Sequence, residues 1–502
     1  MKRHLSDCSG STASPSKKSR LETAEEAVID LTEDADYDSD ATEIVETARE
    51  KEKRTESGRP PAPSRPVPYV DPRISLTRVE ALGSAQNVGS KTLGNVFGLK
   101  DIECMLQLNY MVQLTWMMRH LPDQSIPITF VHGLRQASAQ MLRAEASQFP
   151  NVKLVSPDLP IAYGTHHTKA MFIFYKDGDM QVIIHTANMI QQDWKNKTQG
   201  IWSSPVLKKR TDTSNAESAF GTDLIEYLRA YGSSLRTWCD RLEGYDFTPC
   251  KAVIIGSVPG RHSGVNLRKW GHIRLRTCLQ QVKIPEQCCK KSILVGQFSS
   301  IGSLGVTDDW LTNDFGVSLS AARNRQECST PNFKLVFPTV ENVRTSFEGW
   351  AAGGSIPFDS KNWVKQESWM RPRLNVWAAQ KQGRARAMPH IKTFARLVPD
   401  TGEIAWILLT SSNLSKAAWG SFEKKGEQLM VEDFQNGTMR NVSASELPSL
   451  SLTAQPAAGT TDFIVPIRLP YDLPLTPYRS NDVAWTWDSR QNEPDSLGYI
   501  KD

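Results

Sequence analysis

The chain has 502 residues, 39% of them hydrophobic and 23% charged, with a formal net charge of +4. That length allows two or three domains and a sizeable core, while apolar runs such as residues 404–409 are far too short to span a bilayer, which weighs against a membrane protein and a lipid substrate. The eight cysteines are scattered, only Cys288 and Cys289 are adjacent, and no secretory segment precedes them, so reduced thiols in the cytosol or nucleus are expected.

Residues 1–66 are rich in Ser, Pro and Glu and nearly free of aromatic side chains, so burial cannot offset the entropy of ordering them and a disordered arm is expected. Within it, residues 21–50 hold twelve acidic side chains and one basic, and setting that net −11 aside leaves about +15 for the remainder. Such a body suits a polyanion. The cluster Lys17-Lys18-Ser19-Arg20, with Lys2-Arg3 upstream, is compatible with nuclear import and sets a nuclear location as the expectation. Val28-Ile29-Asp30-Leu31-Thr32, followed by Glu33 and Asp34, resembles a SUMO-interacting motif: an apolar extended segment flanked by acids can add a strand to a partner's sheet edge. SUMO or a SUMOylated protein is therefore an expected partner.

Beyond the arm, strands alternate with helical stretches. Residues 128–131 and 152–155 read as strands around a helix at 137–147, an α/β pattern. A short polar sentence then appears. His167-x-Lys169 leads into a largely apolar run at 170–175, turn chemistry at Lys176-Asp177-Gly178-Asp179, a β-branched return at 182–184, and Thr186-Ala187-Asn188. This reads as a hairpin. The stretch 357–384 has no clean periodicity, and its Trp363, Trp369 and Trp377 suit either a channel for a polyanion such as a nucleic acid or packing on the rest of the fold.

The sentence is then written again. His390-x-Lys392 precedes a run at 394–398, the turn Pro399-Asp400-Thr401-Gly402, a return strand at 404–409, and Ser411-Ser412-Asn413. His and Asn lie 21 residues apart in the first copy and 23 in the second. One His-x-Lys in a strand is ordinarily a half-buried His beside a solvated Lys. Two copies with the same hairpin and the same terminal Asn point instead to two similar halves delivering the same polar groups to one place.

Two histidines, two lysines and two asparagines make an anion site with acid-base capacity and no carboxylate in the motif. A phosphodiester fits it. Lys and Asn would donate hydrogen bonds to non-bridging oxygens while one imidazole attacks phosphorus and the other protonates the leaving oxygen, the roles then reversing as water cleaves the phosphohistidine. His166 and His185 read as structural or supporting groups, and with no Cys or carboxylate at ligand spacing no metal or other cofactor is expected.

The pattern resembles the phospholipase D superfamily, whose His-x-Lys is followed after four residues by Asp; here Phe174 and Leu397 stand at those positions. The His-Lys-Asn form is similar to the tyrosyl-DNA phosphodiesterase family. So are longer runs: Gly164-Thr165-His166-His167-Thr168-Lys169, Lys197-Thr198-Gln199-Gly200-Ile201-Trp202, Gly296-Gln297-Phe298-Ser299-Ser300, Pro389-His390-Ile391-Lys392-Thr393 and Asn413-Leu414-Ser415-Lys416-Ala417-Ala418-Trp419-Gly420. The resemblance runs from about Ile74 to near the C-terminus. It implies two similar α-β-α sandwich halves, at 67–252 and 253–502, related by pseudo-twofold symmetry with the site at their interface.

By the same resemblance His167 is the nucleophile and His390 the general acid and then base, with Lys169, Lys392, Asn188 and Asn413 on the phosphate oxygens. Gln199 matches a glutamine that the family sets beside a histidine, and Ser411 joins it as a supporting group. The glutamate expected beside the other histidine falls at Gln435, a departure that leaves Gln435, Glu432 or Asp433 to orient the ring. Ser300, Ser303, Tyr163 and Trp485 are the implied DNA contacts, with core burial the alternative for Trp485, and Tyr110 faces the peptide side. The implied substrate is DNA carrying a 3′-linked tyrosine or peptide, in single-stranded or frayed duplex ends, the product a 3′-phosphate, and a monomer is the expected state. Two rival readings follow from the departures: a metal-independent nuclease or lipid phosphodiesterase of the superfamily, and a DNA-binding scaffold that has lost catalysis.

Overall fold

Seven strands build one sheet and seven more repeat it. In the computed structural model, which describes residues 74–211, 218–441, 449–451, 464–466 and 468–502, the first sheet contains β1 (Ile74–Leu76), β2 (Ile102–Asn109), β3 (Ile128–His132), β4 (Val152–Val155), β5 (Ala170–Tyr175), β6 (Met180–His185) and β7 (Gly200–Ser203). Their order across the sheet is β4-β3-β2-β5-β6-β7-β1. Only β2-β3 and β3-β4 pair in parallel; the remaining pairs are antiparallel.

The second sheet follows from β8 (Val253–Ser257). After β9 (Gly260–Ser263) come β10 (Ile293–Gln297), β11 (Asn332–Val336), β12 (Leu374–Asn375), β13 (Thr393–Leu397) and β14 (Glu403–Thr410). Then β15 (Ser421–Glu423) and β16 (Gln428–Val431) precede β17 (Gln435–Asn441). The order β12-β11-β10-β13-β14-β17-β8 repeats the first sheet strand for strand, again with two parallel pairs and the rest antiparallel. The duplication is thus a property of the topology. The additions break it: β15, β16 and β9 form a small third sheet, and Ser449–Ser451 extends the second sheet beside β14.

The central strands are apolar on both faces because both faces are covered, which replaces alternation with a continuous run. In β5 Phe172 and Phe174 join one core while Met171, Ile173 and Tyr175 join the other. The helix Ala219–Arg229 lays Phe220, Leu224, Tyr227 and Leu228 on the first of these cores, the spacing of one helical face. Gly178 and Gly402 close the two long hairpins at φ of 88° and 71°, a region that costs other residues energy. At the meeting of the halves a side chain on Gly200 would run into Leu409 and Ile391 at 2.5 and 2.7 Å, so glycine there lets the sheets approach.

Sequence and structure agree to the residue on the first strand of the first hairpin, the return expected at 182–184 extends over Met180–His185, and the helix expected at 137–147 spans Gln136–Ala146. The unpatterned stretch folds as the helix Ser360–Met370 and β12, with Trp363 and Trp377 buried in the core. One expectation is corrected: Cys289 and Cys328 are paired as a disulfide, because the short turn Arg325–Glu327, which Cys328 ends, and the helix Glu286–Lys291 before β10 bring together two cysteines 39 positions apart, a proximity their spacing did not disclose. All these elements lie in one unit, Val67–Asp502. The import and SUMO motifs fall outside the described residues.

Candidate active site

Each half lends its partner the group that aims the partner's histidine. His167 lies in the extended lead-in to β5, where its backbone N–H donates to the Phe434 carbonyl at 3.0 Å, and the neighbouring His166 and Phe434 form a parallel bridge. This puts Gln435 beside the ring. Its Oε1 accepts from His167 Nδ1 at 3.1 Å. In the other direction the His390 N–H donates to the Thr198 carbonyl at 3.0 Å and Pro389 bridges Thr198, bringing the Gln199 amide to His390 Nδ1 with Nε2 at 3.0 Å and Oε1 at 3.2 Å. In both rings Nδ1 is occupied and Nε2 is left for a ligand.

The glutamines are themselves pinned in matching ways. Thr186 Oγ1 donates to Gln199 Oε1 at 2.8 Å, and Ser411 Oγ donates to Gln435 Oε1 at 2.7 Å. Gln435 Nε2 reaches Asp433 Oδ2 at 3.4 Å, and Asp433 Oδ1 accepts the N–H and hydroxyl of Thr165 at 2.9 and 3.0 Å. The side chain that contacts His167 is therefore Gln435, while Asp433 stands one step behind it. Ser411 supports as expected; Thr186, its counterpart, was not singled out from the sequence.

Lys169 and Lys392 are fully buried, and each donates its Nζ to the carbonyl of its own motif histidine, at 3.2 and 2.5 Å. Asn413 Oδ1 accepts the N–H groups of Ser299 and Ser300 at 3.2 and 3.0 Å, which turns its amide donor outward. The carbonyls of Asn188 and Asn413 each accept an indole N–H at 2.9 Å, from Trp194 and Trp419. His167, Lys169, His390, Lys392 and, through Asp193, Asn188 belong to one cluster.

One carboxylate in the cluster escaped the sequence reading. Asp193, 1% exposed, lies on the helix Gln191–Lys195 with Oδ2 3.2 Å from His390 Nδ1, and the same oxygen accepts the Asn188 N–H at 2.6 Å. The repeat itself hid it, since the residue five beyond Asn413 is Ala418. Behind it the buried Lys197 pairs with Glu348 at 2.5 Å.

Burial dominates the protonation of these groups. It pushes Lys169 down to about 7 against the pull of Asp193, and burial together with the Lys169 charge holds Lys392 well below the usual lysine range. Burial and the two lysines hold His167 and His390 well below the ordinary imidazole value. For Asp193 burial raises the carboxyl while Lys197, Lys392 and Lys169 oppose that rise. His166 and His185 are driven down to about 3 by burial, in keeping with neutral structural rings. The cluster concentrates positive charge in a dry setting, where an anion gains most.

Around the rim, Tyr110 packs its ring 5.4 Å from the His167 ring, centroid to centroid. Tyr163 is 90% exposed at a φ of 65°, so its aromatic face is held in water at some backbone cost. Ser300 is half-buried beside Asn413 and Ser303 is exposed. Trp485 does not join them. It is 0% exposed, stacks on Trp350 at 5.9 Å and donates its indole N–H to the Ile356 carbonyl at 3.1 Å; the DNA-facing expectation is corrected to a core role, because the close approach of Gly353 seals the ring in.

Comparison with known proteins follows the same outline. The family model described as tyrosyl-DNA phosphodiesterase matches residues 73–479. Tyrosyl-DNA phosphodiesterase 1 of Arabidopsis thaliana is 34% identical over 472 residues, 85% of this chain and 76% of that protein. The Drosophila melanogaster protein of the same name is 35% identical over 416 residues, 78% of this chain and 69% of its own. The structure of the yeast tyrosyl-DNA phosphodiesterase shares the fold, with a TM-score of 0.62 at 20% identity over 82% of this chain and 99% of that one.

Proposed function

The chain belongs to the tyrosyl-DNA phosphodiesterase family and is a phosphodiester hydrolase of DNA repair, and from that premise we propose that it removes 3′-phosphotyrosyl and related 3′ blocks through a phosphohistidine on His167, leaving a 3′-phosphate. The observation that carries this reading is the pair of imidazoles with Nδ1 occupied by the opposite half and Nε2 available. A neutral His167 can attack. Its ring, held below the ordinary imidazole range by burial and two lysines, keeps a lone pair at neutral pH.

In the first step His167 Nε2 bonds to phosphorus and the P–O bond to tyrosine breaks, the phenolic oxygen taking the proton from His390 Nε2. A bound phosphate supplies the negative charge that lets His390 carry that proton despite burial. In the second step His390 Nε2 takes a proton from water, the water oxygen bonds to phosphorus and the N–P bond breaks. Lys169, Lys392, Asn188 and Asn413 would donate to the non-bridging oxygens, where charge builds in both transition states. Tyr163 offers a stacking face for a base, a contact worth about 1–3 kcal/mol in single-strand binders, with Ser300 and Ser303 toward phosphates and Tyr110 on the peptide side. The neutral Gln435 serves the nucleophile, since an amide oxygen suffices to hold Nδ1–H and fix the tautomer.

The experiment is direct. A single-stranded oligonucleotide ending in 3′-phosphotyrosine, incubated with the full chain in excess EDTA, should yield a 3′-phosphate end. Binding of that oligonucleotide with no turnover would instead support the scaffold reading.

A further inference from the structure

We infer that Asp193 is the positioning residue that supports His390 as the acid of this site; the inference rests on the phosphodiesterase reading above. Three observations carry it. Asp193 Oδ2 lies 3.2 Å from His390 Nδ1, beside the Gln199 amide that also reaches this nitrogen, whereas His167 Nδ1 meets the uncharged Gln435 Oε1 at 3.1 Å and no carboxylate directly. The carboxylate is buried and fixed, its Oδ2 tied to the Asn188 N–H at 2.6 Å. And the duplicate half carries Ala418 in its place, so the acid nearest His167 is Asp433, which stands behind Gln435 and does not touch the ring.

The charged groups facing His390 are Lys392, Lys169, His167 and Lys197, and Lys197 is held by Glu348 at 2.5 Å. Against four positive or potentially positive neighbours, Asp193 is the negative group in contact with the ring. A carboxylate at Nδ1 favours the imidazolium, which can then give its Nε2 proton to the leaving oxygen as the P–O bond breaks. An amide at Nδ1 fixes the tautomer without favouring the cation, which suits a ring that must present a lone pair to phosphorus.

The test separates proton donation from mere scaffolding by changing the leaving group. Asp193→Asn is compared with the unaltered chain on two oligonucleotides, one ending in 3′-phosphotyrosine, whose phenol has a pKa of about 10, and one in a 3′-(4-nitrophenyl) phosphate, whose far more acidic phenol departs unprotonated. On the tyrosyl substrate kcat/KM should fall on the order of 10²-fold, the range of a lost general acid, whereas on the nitrophenyl substrate it should fall less than about threefold. Asp193→Glu, which keeps the charge, should regain part of the tyrosyl activity, and Asp193→Ala carries the same two-substrate comparison should Asp193→Asn not fold. Equal losses on both substrates would overturn the inference, since a structural role moves both alike. The unaltered chain is the control on the underlying reading: if it leaves both substrates intact, the phosphodiesterase mechanism fails with it, whereas active unaltered chain with equal losses in the variants sinks the Asp193 role alone.

Discussion

The two halves share seven strands in the same order and matching supports for their histidines and asparagines, yet those histidines see different surroundings. Thr186 with Gln199 and Ser411 with Gln435 are the same device, and the indoles of Trp194 and Trp419 cap the same asparagine carbonyl. The difference lies in where the acid stands: His390 Nδ1 meets Asp193 as well as the Gln199 amide, whereas His167 Nδ1 meets the Gln435 amide with Asp433 behind it. Duplication supplies a frame in which two rings face one ligand, and divergence at single positions then gives the rings separate tasks.

Breaking the comparison at its centre has the largest effect. If His167 alone is the nucleophile, His167→Ala should lower turnover of the 3′-phosphotyrosyl substrate on the order of 10³-fold or more, read by product formation at saturating enzyme. Activity within tenfold of the unaltered chain would make the halves interchangeable. A second expected contrast is between aromatic residues. Trp485→Ala should cost about 3–5 kcal/mol of stability by emptying a core site, measured by denaturant unfolding, whereas Tyr163→Ala should leave stability alone.

Gln435→Ala removes the hydrogen bond that aims His167, and a drop of about 10- to 100-fold in kcat is expected, equivalent to about 1.5–3 kcal/mol for a hydrogen bond to a group that becomes charged. Gln435→Glu should retain more activity than Gln435→Ala, because an acceptor remains. Tyr163→Ala should raise Kd for single-stranded DNA by the equivalent of about 1–3 kcal/mol, checked by fluorescence anisotropy. The smallest effect is in pH. Lys169, lowered by burial to about 7, is protonated below that value, so kcat/KM should decline as pH rises past it. A bound phosphate favours the charged lysine and raises its pKa, so the alkaline limb of kcat should lie higher than that of kcat/KM.

Much of this was legible in the sequence because hairpins write themselves locally. Residues 170–175 and the turn at Gly178 mark β5 and β6 without help from the rest of the chain, and the repeated His-x-Lys located the site. What stayed hidden depends on contacts between distant segments. Asp193 reaches His390 from the opposite half, so neither local pattern nor the repeat marked it. Trp485 is chemically equal to an exposed indole until Gly353 and Trp350 close over it. The helix Ser360–Met370 lacked a clear stripe because few of its residues, among them Trp363, Gln366 and Met370, turn inward. Gln435, a departure in sequence, occupies the orienting place with Asp433 behind it.

The central claim is that both imidazoles act on one phosphorus atom, His167 bonding to it and His390 moving the protons. Its most direct measurement is intact-mass analysis with peptide mapping of the His390→Ala chain after incubation with the 3′-phosphotyrosyl oligonucleotide. The account expects a covalent adduct of the oligonucleotide 3′-phosphoryl group on His167, absent from the double variant that also carries His167→Ala. An adduct on another residue, or one that persists in the double variant, would contradict it.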